Sequence, residues 1–140
     1  MTIFEEIANT VAKLNKTKEQ LDFLREQADS PRSCVISDMP KGGGNAGNPL
    51  EQYIIKKEKL QIKCARLTER LNELWGSAVR QMKDAQIDEP LRVMMYMRFV
   101  CGLQWKKCAQ EMDKHYPNQK WNVNKCFRKY REILCRIKRV

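Results

Sequence analysis

The chain has 140 residues, of which 42% are hydrophobic, and a formal net charge of +10 at pH 7. This length allows one small domain with an appendage and excludes two large domains. The charge is uneven, because residues 71–140 hold 15 Lys/Arg against seven Asp/Glu, whereas residues 1–70 hold 12 against ten. A basic half of this kind favours a polyanionic partner such as nucleic acid, with a solvated cationic tail as the alternative.

The cysteines and the single histidine indicate neither a disulfide framework nor a metal site. The six cysteines form no Cys-x-x-Cys pair, and most lie beside apolar residues in helical patterns, which is typical of reduced core thiols. His115 stands seven residues after Cys108 and eleven before Cys126, a spacing that matches no common zinc pattern. No catalytic arrangement of side chains is evident. We therefore expect no metal, no cofactor and no enzymatic activity.

The N-terminal part predicts one amphipathic helix followed by a loop. Apolar residues recur at three- and four-residue intervals over residues 3–28, with Lys18 interrupting the stripe. The helix should end before Pro31. Residues 29–49 are rich in Gly, Pro and Asn and predict a flexible connector. Although Lys41 precedes three glycines, no Gly-Lys-Ser/Thr ending is present, so a nucleotide-binding loop is not expected.

A second, longer helix is predicted over residues 50–84. Its apolar stripe runs from Tyr53 to Met82 with a spacing close to 3.5 residues. At 1.5 Å per residue, such a helix is roughly 50 Å long, too long for one small domain to cover. It needs residues 3–28 folded back on it as a hairpin, or a second copy of the chain. We therefore predict that residues 1–84 form a helical hairpin or coiled coil, with homo-oligomerisation through the long helix as one outcome.

Residues 85–140 predict three shorter helices arranged as a helix-turn-helix domain. Asp88 and Pro90 suit the start of a helix over 89–101, and Gly102 can take the left-handed conformation that ends it. A second helix over about 105–114 begins after Gln104, a weak N-cap, and residues 115–121 form a turn longer than is usual in this motif. Asn122 can cap the last helix, whose apolar face is expected to hold Val123, Cys126, Phe127, Tyr130, Ile133, Leu134 and Ile137.

The polar face of the last helix holds the candidate DNA-binding residues. Asn and Arg side chains can pair bidentately with adenine and guanine in the major groove, and a ridge of three residues, Asn124, Lys125 and Arg128, has this chemistry. Arg136, Lys138 and Arg139 lie further along, where phosphate contact or none is expected. Trp105, Trp121 and Tyr130 are expected in core or turn packing. The complete candidate set is Lys106, Lys107, Lys120, Asn122, Asn124, Lys125, Arg128, Lys129 and Arg131.

Two segments, Leu91–Met112 and Asn122–Ile137, resemble the region-4 helix-turn-helix of bacterial sigma factors. The likeness is carried by Arg98-Phe99-Val100-Cys101-Gly102-Leu103-Gln104-Trp105-Lys106-Lys107-Cys108-Ala109-Gln110-Glu111-Met112. The whole chain, with its helical N-terminal part and its Ser37–Gly43 loop, is similar to sigma-like phage and prophage regulators of the ArpU/RinA type. Two departures are Cys108, where isoleucine is usual, and the lengthened turn over residues 115–121.

These observations predict an all-α, sequence-specific regulator of transcription that binds double-stranded DNA. The resemblance implies activation of phage late genes and RNA polymerase as a further partner in a bacterial or phage-infected cell. The reduced thiols and the lack of a signal-type segment predict the cytoplasm. No run of apolar residues approaches the roughly 20 of a membrane span, and no signal-type segment is evident, so no membrane association is expected. Two alternatives stay open: a small terminase subunit that initiates DNA packaging, and a helical protein-interaction module that binds no DNA.

Overall fold

The computed structural model describes residues 2–29 and 48–139, and these residues contain no β-strand. Their α-helices are α1 (Ile3–Asp29), α2 (Pro49–Asp84), α3 (Glu89–Met95), α4 (Trp105–His115) and α5 (Val123–Arg139). A π-helical turn over Tyr96–Val100 extends α3, and a 3-10 turn over Pro117–Gln119 precedes α5. The all-α class is confirmed, and the helix ends lie within two residues of those predicted. The loop predicted over residues 29–49, with Cys34 and Lys41, lies almost wholly outside the described residues.

The residues divide into two compact units. One unit comprises Met1–Val11 and Arg70–Val140, and we call it the core unit. The other comprises Ala12–Glu69, and we call it the two-helix unit. The core unit takes in one end of α1 and one end of α2 because their apolar residues share a single hydrophobic cluster with α3, α4 and α5.

The core unit is built on a cluster of large, fully buried apolar side chains. Each helix contributes at least one of them, since the set consists of Phe4, Ile7, Met82, Ile87, Met94, Met95, Met112 and Ile133. Leu74 and Ala78 of α2 are also buried, and Glu6 of α1 lies 3.9 Å from Arg70 of α2 in a surface ion pair. The start of α1 therefore packs beside the end of α2 within the core unit.

Two tight helix ends shape the core unit, one directly after α2 and one directly after the π-helical turn that extends α3. Gln86 has a left-handed backbone with φ of 59°, and the N–H of Ile87 donates to the carbonyl of Met82 at 2.9 Å. This is a Schellman ending with a glutamine where glycine is usual. Arg136 of α5 reinforces it, because its Nη2 donates to the carbonyls of Ala85 at 2.6 Å and Gln86 at 3.2 Å.

The second tight helix end is at Gly102, as the sequence predicts. Its φ is +73°, and the preceding turn is widened to π geometry, with the Cys101 N–H donating to the Tyr96 carbonyl at 3.1 Å. Arg98 Nη1 donates across the turn to the Leu103 carbonyl at 3.0 Å. Nothing lies within 4 Å of a Cβ built on Gly102, so the backbone conformation, and not space, is what favours glycine here.

The two-helix unit buries far less apolar surface than the core unit. Leu14, Thr17 and Leu21 of α1 are buried, and the α2 stripe at 53, 60, 64 and 67 is only half-buried. In the sequence, Lys18 interrupts the apolar stripe of α1. In the structure, Thr17 is the buried residue at this point, and its hydroxyl donates a hydrogen bond to the Lys13 carbonyl at 2.8 Å. Within the described ranges, no helix combines the length and the apolar character that crossing a membrane needs.

Candidate nucleic-acid interface

The start of α5 is fixed by a side-chain cap and by a buried tryptophan. The Lys125 N–H donates to Asn122 Oδ1 at 2.8 Å, so Asn122 is the N-cap that the sequence predicts. Trp121 is buried, and its backbone N–H donates to Asp113 Oδ1 at 3.3 Å. Residues 116–121, which include the 3-10 turn, therefore form an ordered connection from α4 to α5. The Asn122 side-chain oxygen is already occupied by this cap.

One face of α5 packs into the core unit, and it differs from the predicted apolar face at two positions. Cys126 and Ile133 are fully buried, while Tyr130, Leu134 and Ile137 are partly buried against the cluster. Val123 and Phe127 were expected on this face, but they are 42% and 39% exposed. Phe127 lies at one edge of the apolar arc of α5, and Val123 is the first residue of the helix, so the core leaves both partly exposed.

The solvent-exposed side of α5, which we call the outer face, carries Asn124, Arg128 and Arg131, with Val123 and Phe127 along its border with the apolar face. All five side chains are exposed, and they recur at three- and four-residue intervals, so they form one continuous surface. No hydrogen bond or ion pair within the described part of the chain engages Asn124 or Arg128. Arg131 lies over the Phe127 ring, with Cζ 4.6 Å from the ring centroid. Two of the three predicted base-reading residues thus remain available to a ligand.

The third predicted base reader, Lys125, is engaged within the protein. Its Nζ lies 4.6 Å from the centroid of the Trp121 ring and donates to the Gln119 carbonyl. Lys129 is half-buried, with Nζ 3.5 Å from Glu132 Oε2. These two lysines therefore stabilise the start and the flank of α5, and base contact by Lys125 is not what the geometry favours. The sequence alone could not reveal this, since the turn that folds Gln119 and Trp121 beneath Lys125 is irregular.

Three further predicted lysines lie outside α5. Lys106 and Lys107 are exposed in the first turn of α4, and Lys107 Nζ is 3.6 Å from Glu111 Oε1. Lys120 is exposed and has a left-handed backbone with φ of 48°. All three are accessible to a polyanion, although the ion pair occupies Lys107 in part.

Arg136 acquires a role that the sequence does not suggest. It was expected to contact phosphate or nothing, but its guanidinium donates to the end of α2, fifty residues earlier in the chain. A cation at a helix C-terminus is stabilised by the unpaired carbonyls there. Arg136 also borders an open depression on α5 that is lined by Arg128, Arg131, Glu132 and Cys135. The side chains of Lys138 and Arg139 lie outside the described residues.

A continuous row of aromatic rings runs from the interior of the core unit to the outer face of α5. Phe4 meets Phe99 at 5.4 Å between centroids, Phe99 meets Tyr130 at 5.4 Å, and Tyr130 meets Trp105 at 5.4 Å. Trp105 then meets Phe127 edge to face at 6.1 Å. The expectation that Trp105, Trp121 and Tyr130 serve packing is confirmed by these contacts and by the burial of Trp121.

The cysteines divide by location. Cys108 and Cys126 are buried core residues, as expected, whereas Cys101 and Cys135 are exposed. Burial, with a smaller contribution from the neighbouring Cys126, raises the pKa of the Cys108 thiol from its ordinary value of 9.0 to about 11. Burial likewise raises the pKa of Cys126, and burial together with the nearby Glu5 carboxylate raises that of Tyr130. Among the described residues no His, Cys, Asp and Glu side chains cluster as metal ligands would.

No protein-family model, curated protein or solved structure matches this chain. The similarity of Leu91–Met112 and Asn122–Ile137 to the sigma-factor motif therefore rests on those residues themselves.

Proposed function

We propose that this protein is a sequence-specific regulator of transcription that binds double-stranded DNA through the outer face of α5. The observation that carries the proposal is the exposed surface of Asn124, Arg128 and Arg131 on a helix whose other side is anchored in the core. An α-helix fits the major groove of B-form DNA, where amide and guanidinium groups distinguish adenine and guanine. In this arrangement α4, the turn over residues 116–122 and α5 would act as a helix-turn-helix.

The proposed contacts divide by chemistry into base readout and phosphate contact. Asn124 and Arg128 are near the start of α5, where recognition helices meet base edges. Arg131, Lys120 and Lys106 are exposed cations of the same unit and would contact phosphates, which position a protein on the duplex without reading its sequence. Lys125 and Asn122 would hold α5 at the correct angle, because both stabilise the start of that helix.

The test compares two arginines of equal charge on the two units. A duplex is selected from a random library by the purified chain, and binding is followed by fluorescence anisotropy at several salt concentrations. Arg128→Ala should weaken the selected duplex by roughly 5–150-fold, the equivalent of about 1–3 kcal/mol, and a random duplex much less. Arg66→Ala, which removes the same charge from an exposed position on α2, serves as the control and should leave binding unchanged.

The outcomes distinguish three roles for Arg128 and its neighbours: base contact, phosphate contact, and a solvated face without a ligand. Equal losses on selected and random duplexes would assign Arg128 to a phosphate, in which case the slope of log affinity against log salt concentration should also fall by about 0.9. Absence of salt-dependent binding to any duplex would overturn DNA binding altogether and leave the basic residues as a solvated face.

Activation of phage late genes and contact with RNA polymerase are part of the same proposal and are supported by the resemblance alone. A genome-wide footprint of the bound protein in a bacterial host tests them, because a regulator should occupy a promoter region. Occupancy confined to the end of a phage genome, together with a molecular mass in solution that corresponds to a ring of many subunits, would favour a terminase subunit instead.

A protein-interaction role is the second candidate, and one observation on the two-helix unit favours it. Large apolar side chains are exposed there, and they are Phe23, Leu50, Ile54, Ile55 and Ile62. Exposed apolar surface of this kind is typical of interaction sites, and the long helix was expected to support a homo-oligomer. Light scattering across a concentration series tests whether the chain associates with itself, and Ile55→Lys should dissociate such an oligomer.

A further inference from the structure

The outer face of α5 is not purely polar, and its two apolar residues need an explanation. Val123 and Phe127 lie one helical turn apart and are flanked by Asn124, Arg128 and Arg131. The core takes the fully buried Cys126 and Ile133 from the adjoining face of the helix, whereas Val123 and Phe127 are 42% and 39% exposed. The surface presents the cations Arg128 and Arg131 beside a phenyl ring that is partly exposed. Its partner should therefore be both anionic and locally apolar.

Phe127 is held in place before any ligand arrives. The Trp105 ring packs edge to face against it at 6.1 Å, and the Tyr130 ring lies 6.2 Å away. The Arg131 guanidinium covers part of the ring from another side. A side chain fixed by three neighbours loses little conformational entropy when it binds. The exposed part of the ring is thus a preformed apolar contact on an otherwise cationic surface.

We propose that Phe127 and Val123 recognise thymine methyl groups, so that the bound DNA carries thymines beside the bases read by Asn124 and Arg128. This inference rests on the DNA-binding function proposed above and deepens it. In the major groove the thymine C5-methyl is the one apolar group among the donors and acceptors of the four base pairs. A helix that presents cations for the phosphates and a fixed phenyl ring between them therefore matches thymine-containing steps.

The experiment removes the methyl group and nothing else. In the duplex selected by the purified chain, each thymine is replaced in turn by deoxyuridine, which keeps the base pair but lacks the C5-methyl. At one or two positions the wild-type chain should lose roughly fourfold in affinity, the fold-change that corresponds to burial of one methylene-sized group. Phe127→Ala should bind more weakly and should no longer respond to deoxyuridine at one of those positions, whereas Val123→Ala should lose the response at the other.

Two controls make the result specific. Phe23→Ala makes the same substitution at a phenylalanine that is 60% exposed on α1, and this variant should keep the wild-type response to deoxyuridine. Circular dichroism checks that Phe127→Ala is folded, and Phe127→Leu, which keeps an apolar side chain, should retain part of the response if the loss in the alanine variant is due to the contact.

The experiment distinguishes failure of the thymine-methyl contact from failure of the proposed DNA binding. Tight, salt-dependent binding to the selected duplex with no loss on any deoxyuridine substitution would overturn the methyl contact and leave the DNA-binding function standing. A deoxyuridine response that persists in both Phe127→Ala and Val123→Ala would overturn it as well. Absence of binding to every duplex would overturn the proposed function, and this inference with it.

Discussion

The core unit and the two-helix unit share two helices but bury their side chains very differently. In the core unit, α1 and α2 meet three further helices, and Phe4, Ile7 and Met82 lose all contact with solvent. In the two-helix unit, no residue of α2 is fully buried, and Phe23 and Ile62 are exposed. Apolar residues on a helix contribute to stability only when neighbours cover them. The same long helices should therefore be stable at one end and open easily at the other.

The largest expected effect comes from two phenylalanines on α1. Phe4→Ala should lower the free energy of unfolding by about 3–5 kcal/mol, because it leaves a cavity beside Phe99 in the core unit. Phe23→Ala, at an exposed position, should change it by no more than about 0.5 kcal/mol. Urea denaturation followed by circular dichroism measures both. Similar losses at the two positions would show that both ends of α1 are buried alike, contrary to the structure.

Two leucines on α2 repeat the comparison with smaller differences. Leu74→Ala in the core unit should cost about 3 kcal/mol, since the side chain is buried. Leu67→Ala in the two-helix unit should cost about 1 kcal/mol, because that side chain is only partly buried. The difference in urea midpoints between the two variants checks this, and a larger loss for Leu67→Ala would point to a second chain that covers the two-helix unit.

Two glycines of the core unit compare a left-handed helix end with the interior of a regular helix. Gly102→Ala should destabilise by about 1–2 kcal/mol, because the left-handed backbone resists a Cβ although the space for it is open. Gly76→Ala, in the middle of α2, should stabilise by about 0.5–1 kcal/mol, since a Cβ there also meets nothing within 4 Å. Thermal melts of the two variants should thus shift in opposite directions, and a shared direction would contradict the backbone assignment at Gly102.

The smallest perturbation needs no substitution, because it compares the reactivity of two thiols in the wild-type chain. At pH 8.5, iodoacetamide should modify Cys64 of the two-helix unit well before Cys108 of the core unit, because Cys108 is buried and its pKa is about 11. Mass spectrometry of peptides over time measures both rates. Equal modification rates would show that Cys108 is as accessible as Cys64.

The raised pKa of Cys108 also predicts that the stabilising contribution of its neutral thiol is complete below pH 9 and is lost as the pH rises through about 11.

The local features of this protein followed from the sequence because they depend on neighbouring residues. The helix ends, the left-handed Gly102 and the Asn122 cap were all predicted, since each is set within one or two helical turns. The exposure of Asn124, Arg128 and Arg131 on the polar side of α5 was predicted in the same way. The sequence also identified Asn124 and Arg128 as exposed polar residues on that face, although whether they bind DNA is still a proposal.

The features that sequence analysis missed depend on contacts between distant parts of the chain. A helical period locates an apolar stripe only to within one residue, so which edge of a wide stripe is covered depends on the neighbouring helices. For this reason Thr17 is buried where Lys18 was considered, and Phe127 is exposed where burial was expected. Arg136 reaches the end of α2 across fifty residues, and the core unit joins both ends of the chain. The sequence by itself determined the helices, and tertiary packing decided which of their faces remain for a partner.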